Sequence, residues 1–430
     1  MLNLRLITIA ILFLSFTFVN AQLRIQKVHE TLKGETLSSI ASLYDVPIED
    51  LTKVNPDISS NPSKKFKSGY LINIPAKAET ISHIADTLSV AVVLPFTSEG
   101  KEGSRCVEFY RGLLMSCDAE RQDGKCLKVI GIEEPIANQD ITEVIAQLNE
   151  VTPDVIIGPL YPSHFSPISV YAKNNEVKNL IPFSSKVQDS DMSPYTYILN
   201  TPENLVVENG YKLFRSVFNS CRCVVVPTAD ASEKKLINSL LAKVMHDGDE
   251  VVTLSQDFSF ENYKEALDRN NINVLLFDGD DQQQVLNILR KISEFNKQLV
   301  GYNIAVVGHN AWQQFSMEYN DLLCSLNTYI LAQDFYNAYS KDVIDFEEQY
   351  FRWFKEYPLL LHPRMGELGY DTGIYLFSTT SQGQNLGKVK PYLQTKFHFE
   401  KGANEESVNT HLMFIRFAPN YKLELIEFKK

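Results

Sequence analysis

From Ser89 onward, short apolar runs alternate with amphipathic segments, and the alternation occurs twice. Ser89-Val90-Ala91-Val92-Val93-Leu94-Pro95 reads as a buried strand. A helix follows from about Ser104, with Val107, Tyr110, Leu113, Leu114 and Cys117 on its inner face. Further strands are predicted at 127–132, 155–157 and 179–182, with a helix at 142–148 between them. The pattern restarts at Cys223-Val224-Val225-Val226-Pro227 and continues through 251–254, 274–277, 304–307 and 328–331. Helices around 233–244, 263–269 and 283–295 separate these strands. Such alternation predicts an α/β fold with mainly parallel sheets covered on both faces. Two sets in one chain predict two lobes facing each other across a cleft, with the carboxyl ends of the strands lining it.

The first 88 residues follow other rules. Arg5 precedes a largely apolar run, Leu6 to Phe18, and then Val19-Asn20-Ala21, a small-residue cleavage pattern. The run is too short for the ~20 residues of a spanning helix, so residues 1–21 read as a signal peptide, leaving no transmembrane segment after its removal. Between it and the α/β region, a strand around 25–29 leads to the turn Gly34-Glu35-Thr36, whose Thr36 can cap a helix. Leu37, Ile40, Ala41 and Tyr44 mark one helix face, and Ile48, Leu51 and Val54 a second short helix after Pro47. Leu71-Ile72-Asn73-Ile74-Pro75 closes the unit as a strand. Residues 24–77 thus form a small βααβ module, 78–88 a polar linker, and 89–430 the large bilobed part. Three strands near 396–400, 412–417 and 423–426 read as its C-terminal β extension.

Charge divides along the same boundary. Residues 24–77 carry eight cations against six acids, whereas the whole chain is at −12. With Arg5 in the leader, the remainder from 78 onward holds −15. So acidic a body argues against a nucleic-acid partner. The mildly basic module suits an anionic polymer. Six cysteines in an exported chain permit disulfides. Cys106 and Cys117 lie too far apart on one helix, leaving Cys117 with Cys126, or Cys324 with Cys221 or Cys223, beside the alternative of buried thiols. Cys221 and Cys223 lack a second pair at zinc-ligand spacing, and no metal or cofactor is predicted. No hydrolase, phosphate-loop or dinucleotide motif occurs, and Glu133-Glu134 and Asp280-Asp281 need not face each other.

The module closely resembles the LysM domain. The matching residues are His29, Gly34-Glu35-Thr36-Leu37, Ile40-Ala41, Tyr44, Val46, Leu51, Asn55 and Gly69-Tyr70-Leu71-Ile72-Asn73-Ile74-Pro75. The resemblance implies binding of N-acetylglucosamine-containing glycan, chiefly peptidoglycan or chitin. The implied groove has Gly34, Glu35, Thr36 and Leu37 on one side and Pro56, Asp57 and Ile58 on the other. One departure is the loop from Asn55 to Gly69, several residues longer than usual.

The large part resembles type I periplasmic binding proteins. Val92-Val93-Leu94-Pro95-Phe96, Phe109-Tyr110-Arg111-Gly112-Leu113 and Ile156-Ile157-Gly158-Pro159-Leu160 carry the likeness, with Gly369-Tyr370-Asp371 as the start of a late helix. In that family, groups after the third and fourth strands hold an amino acid's carboxylate, which here implies Ser184 and Ser185 as donors and Tyr161 as a cover over the ligand. Asp278 and Asn310 are the opposite-lobe candidates. The acidic run at 278–281 also reads as a cap for the following helix. Together the two resemblances imply a non-catalytic peptidoglycan-binding protein of the periplasm, its large domain taking a small-molecule ligand or a cell-wall enzyme. The alternatives are a solute receptor for an amino acid or muropeptide and, because LysM often accompanies such enzymes, a cell-wall hydrolase.

Overall fold

The computed structural model describes residues 25–427 except 45, 59, 60, 62, 76–86, 122–125, 186, 229–233, 278, 280, 316 and 381–390. The leader at 1–21 and most of the linker lie outside the described residues. The chain divides into two compact units. One comprises the residues up to Thr87 with Cys117–Cys126 and Asp345–Tyr357; the other comprises Leu88–Ser116, Leu127–Ile344 and Pro358–Lys430.

The first unit contains the small module. Its strand β1 (Ile25–Glu30) is followed by helices α1 (Leu37–Tyr44) and α2 (Ile48–Lys53) and by strand β2 (Leu71–Pro75). β1 and β2 pair antiparallel, with Glu30 opposite Leu71 and His29 opposite Ile72. Helix α1 starts where Thr36 and Ser39 cap each other: Ser39 N–H donates to Thr36 Oγ1 at 3.1 Å, and Thr36 N–H to Ser39 Oγ at 2.9 Å. Leu37, Ile40, Leu51, Ile72 and Ile74 form the core, joined by Val46, Ile58 and Phe66. Buried Asn55 ends α2 and ties it to β2. Its Nδ2 donates to Leu51 O and Asn73 O, each at 2.7 Å, while its Oδ1 accepts from Asn73 N–H at 2.8 Å.

The rest of the chain builds two seven-stranded sheets among the described residues. Lobe 1 takes β3 (Thr87–Leu94), helix α3 (Lys101–Arg121), β4 (Cys126–Glu133), α4 (Thr142–Val151), β5 (Val155–Ile157), α5 (Phe165–Asn174), β6 (Lys178–Ile181) and β7 (Thr196–Ile198). Lobe 2 takes α6 (Glu203–Val217), β8 (Cys221–Val226), α7 (Lys234–His246), β9 (Val251–Thr253), α8 (Phe260–Ala266), β10 (Ile272–Phe277), α9 (Gln282–Asn296), β11 (Asn303–Gly308), α10 (Asn320–Ser325) and β12 (Thr328–Ala332). Helices α11 (Lys341–Phe354) and α12 (Met365–Thr380) precede the last four strands, β13 (Phe399–Lys401), β14 (Ser407–Asn409), β15 (Met413–Phe417) and β16 (Leu423–Glu427). The order in lobe 1 is β13-β14-β7-β6-β5-β3-β4, and in lobe 2 β16-β15-β12-β11-β10-β8-β9. The inner strands run parallel, and β13, β15 and β16 are antiparallel to their neighbours. Central strands such as β3 and β10 are buried on both faces, which is why they read as unbroken apolar runs.

Two expectations change. The tail is no separate extension: β13 and β14 complete lobe 1, and β15 and β16 complete lobe 2. Gly369-Tyr370-Asp371 lies in the second turn of α12 rather than at its start. Gly369 is there because α12 crosses α3 closely; a Cβ would stand 1.9 Å from Phe109 O, and one on Gly112 would stand 1.7 Å from Gly366 O. Of the two alternatives for sulfur, buried thiols hold for Cys106, Cys221, Cys223 and Cys324, Cys117 is buried as well, and the Sγ atoms of Cys221 and Cys223 lie 3.6 Å apart on neighbouring inward positions of β8.

Candidate functional site

The first candidate site is the groove edge of the module. Gly34, with φ +94°, is exposed beside Glu35 and Thr36, and Pro56 and Asp57 are exposed across from them in sequence order. Leu37 and Ile58 are core residues, so their side chains belong to the module's interior and only their backbone can border a groove. Phe66, near the end of the long loop, runs against the first side. Its carbonyl accepts from Gly34 N–H at 3.1 Å, and its N–H donates to Glu35 O at 2.8 Å. Those two backbone groups are thereby committed within the chain. Tyr70, 43% exposed, stacks on Phe66 with centroids 5.6 Å apart and offers an aromatic face that is not among the groove candidates.

Glu35 is fixed by two groups, one of them held in turn by Tyr44. Its Oε2 accepts from Leu32 N–H at 2.7 Å and lies 2.9 Å from His29 Nε2, while His29 Nδ1 lies 3.0 Å from Tyr44 Oη. The hydrogen bond from His29, then that from Leu32, holds the Glu35 carboxyl below the usual carboxylate range. A carboxylate so anchored shapes the first loop.

The second candidate site is the carboxyl rim of lobe 1. Tyr161 follows β5, and half-buried Ser184 and Ser185 follow β6, so parallel pairing of β5 and β6 brings all three to one rim. Half-buried Tyr161 bonds within the lobe: its hydroxyl donates to exposed Glu102 Oε2 at 2.6 Å, and its ring meets His164 edge-on at 5.8 Å. The backbone N–H groups of Leu160 and Tyr161 both donate to Glu134, 2.7 and 3.0 Å away. Glu134 and His164 are buried together, Oε1 to Nδ1 2.8 Å. Burial pushes the Glu134 carboxyl up, opposed by these three donors. Sequence reasoning missed this arrangement because Glu134 and His164 lie on different loops with no local pattern joining them.

In lobe 2, Asn310 opens the short 3-10 helix after β11. It faces protein: its Nδ2 lies 3.2 Å from His362 Nε2, and its Oδ1 accepts from Gln313 Nε2 at 2.6 Å. Asp278 lies outside the described residues. Asp281 caps α9, its Oδ1 accepting from Gln284 N–H at 2.8 Å, as the capping reading of that acidic run requires. Among the described residues no group of His, Cys, Asp and Glu is arranged to hold a metal ion, and no helix is long and apolar enough to cross a membrane.

A family model for the LysM domain matches residues 29–61. Among solved structures, a protein from Rhodospirillum rubrum described as a branched-chain amino acid ABC transporter matches 79% of this chain and 100% of its own, at 14% identity with a TM-score of 0.52. A branched-chain amino acid ABC transporter periplasmic ligand-binding protein from Burkholderia xenovorans LB400 covers 79% of this chain and 94% of its own at 10% identity, TM-score 0.45. The substrate binding protein LivJ from Streptococcus pneumoniae, solved with isoleucine, covers 80% and 100% at 16% identity, TM-score 0.39. No curated protein matches this chain in sequence. The module is a LysM domain, and the large part has the type I periplasmic-binding-protein fold.

Proposed function

We propose that the chain is an exported, non-catalytic peptidoglycan-binding protein. Its LysM domain, residues 24–77, anchors it to the N-acetylglucosamine-containing glycan of the cell wall, and its bilobed domain, residues 89–430, holds a ligand or partner there. The observation that carries this reading is the LysM match over 29–61, on a module whose core is complete and whose Gly34, Glu35, Thr36, Pro56 and Asp57 stay at the surface. The leader pattern at 1–21 supports export. Co-sedimentation with purified peptidoglycan tests the anchor. The full chain should pellet with the polymer, and a chain lacking residues 27–75 should stay in solution. Equal pelleting of both sinks the reading.

A second reading makes the bilobed domain a receptor for an amino acid or muropeptide. The neighbour from Rhodospirillum rubrum favours it through its description as an amino acid transporter, at an identity that speaks for fold alone. A receptor predicts saturable binding of a small molecule. A scaffold for a cell-wall enzyme predicts a stable protein complex and no such ligand, and release of soluble sugar fragments would replace both with a hydrolase.

A further inference from the structure

Lobe 1 carries at its carboxyl rim a complete seat for one carboxylate, and the chain fills that seat itself. The donors are Leu160 N–H, Tyr161 N–H and the His164 imidazole, which approach the Glu134 oxygens at 2.7, 3.0 and 2.8 Å. The Glu134 and His164 side chains are 0% and 2% exposed. Two backbone N–H groups and an imidazole are the donor set that a small free carboxylate would need.

The seat is held rigidly. Asn179 Nδ2 donates to Gly158 O at 2.6 Å, fixing the loop just ahead of it. Gly158 has φ +114°, and a Cβ there would stand 2.1 Å from Val93 O. Glu134 N–H donates to Leu94 O at 3.0 Å, and Asn138 N–H to Ser163 Oγ at 3.0 Å, tying the loop that bears the carboxylate to the loop that receives it. Occupant and seat need each other: a buried carboxylate without donors, or buried N–H groups without an acceptor, would each cost free energy.

The surroundings disfavour a second anion. Glu102 takes the Tyr161 hydroxyl, and Glu133 Oε1 takes Thr97 N–H and Oγ1–H at 3.1 and 2.7 Å. His164 Nε2 is buried with no hydrogen-bond partner, so the far side of the imidazole is shut off from solvent.

We infer that Glu134 is a built-in ligand of lobe 1, occupying the carboxylate seat and thereby setting the bilobed domain against free amino acids and other small carboxylates. The inference rests on the proposed binding role of the bilobed domain and not on the LysM anchor. In the full-length protein, Glu134→Ala empties the seat. Formate or acetate, compared with chloride at equal ionic strength, should then raise the variant's thermal midpoint saturably, by roughly 2–4 °C at ten times the dissociation constant. The native chain should show no such rise. Equal effects in both proteins, or none in the variant, overturn the inference. Should the variant fold in neither salt, calorimetry on the native chain decides. Absence of binding by leucine and glycine supports the inference, as does binding retained by their methyl esters. Binding that requires the free carboxylate overturns it. Pelleting of Glu134→Ala with peptidoglycan should match the native chain, which separates failure here from failure of the anchor.

Discussion

Asn310 Nδ2 lies 3.2 Å from His362 Nε2, and Asp334 Oδ1 lies 3.6 Å from the same nitrogen. Asn310 follows β11 of lobe 2, Asp334 follows β12 where the chain leaves that lobe, and His362 stands just ahead of α12, whose glycines press on α3 of lobe 1. One imidazole therefore ties the segment just ahead of α12 to the loops after β11 and β12 of lobe 2. Gln313 Nε2 completes the group by donating to Asn310 Oδ1 and, at 3.0 Å, to Asp334 O.

His362→Ala removes both contacts to the imidazole. At about 1 kcal/mol for a hydrogen bond of this kind, the variant should lose about 1–2 kcal/mol in urea unfolding. Backbone hydrogen exchange over 359–364 should accelerate, while exchange within β10 should keep its native rate. Unchanged exchange at 359–364 would show that the imidazole does not hold this segment.

Stability should fall as pH rises from about 5 to 8. Burial pushes the carboxyls of Glu108 and Asp371 up to about 7, although each accepts backbone N–H bonds that act the other way. Between the ordinary carboxylate range and about pH 7, the folded chain keeps protons that the unfolded chain has released, so unfolding becomes easier with rising pH. Thermal midpoints across this window check the sign. Glu108→Gln retains an acceptor for Leu359 N–H, 2.9 Å away in the native chain, and should flatten the curve.

The crossing of α3 and α12 depends on glycine. Gly112→Ala and Gly369→Ala each drive a methyl into backbone, at 1.7 and 1.9 Å, and should cost about 3 kcal/mol or more by urea denaturation. Gly131→Ala is the control. Its Cβ would meet only ring atoms of Phe96 at 3.4 Å and Tyr110 at 3.6 Å, ordinary van der Waals distances, so stability should change by less than about 0.5 kcal/mol.

Asn55→Ala tests the module. Three hydrogen bonds from one buried side chain hold α2 to β2, and their loss should cost about 2–4 kcal/mol within this small unit. Peptidoglycan pelleting should drop with it, while thermal unfolding of the bilobed domain stays where it is. Full pelleting of the variant would mean that the strap is dispensable.

Strands β8, β10, β11 and β12 were legible because a strand buried on both faces is apolar at every position, and the LysM pattern because its residues recur at fixed spacing. Strands β7 and β14 were not. Each has three residues, and buried Thr196, Ser407 and Asn409 take their places through sheet neighbours rather than hydrophobicity. Helix α3 was read from its apolar face, yet Glu108 is buried on it, visible only once the 359 loop supplies a donor. Of the candidate site residues, Tyr161, Ser184 and Ser185 come to one rim as their strand order required. Leu37 and Ile58 are interior, and Asn310 meets His362, because those partners are set by tertiary contacts that no local spacing encodes.

The division of the last four strands between both sheets has a consequence for how the chain is made. β14 pairs with β7 in one lobe and β15 with β12 in the other, so neither sheet reaches its final width until residues 399–427 are available. A product cut short before Phe399 would leave two raw edges, β7 and β12, each a template for pairing with another chain. Such a product is a candidate for aggregation rather than a working half. Residues 399–427 thus serve both lobes as a common closing seam.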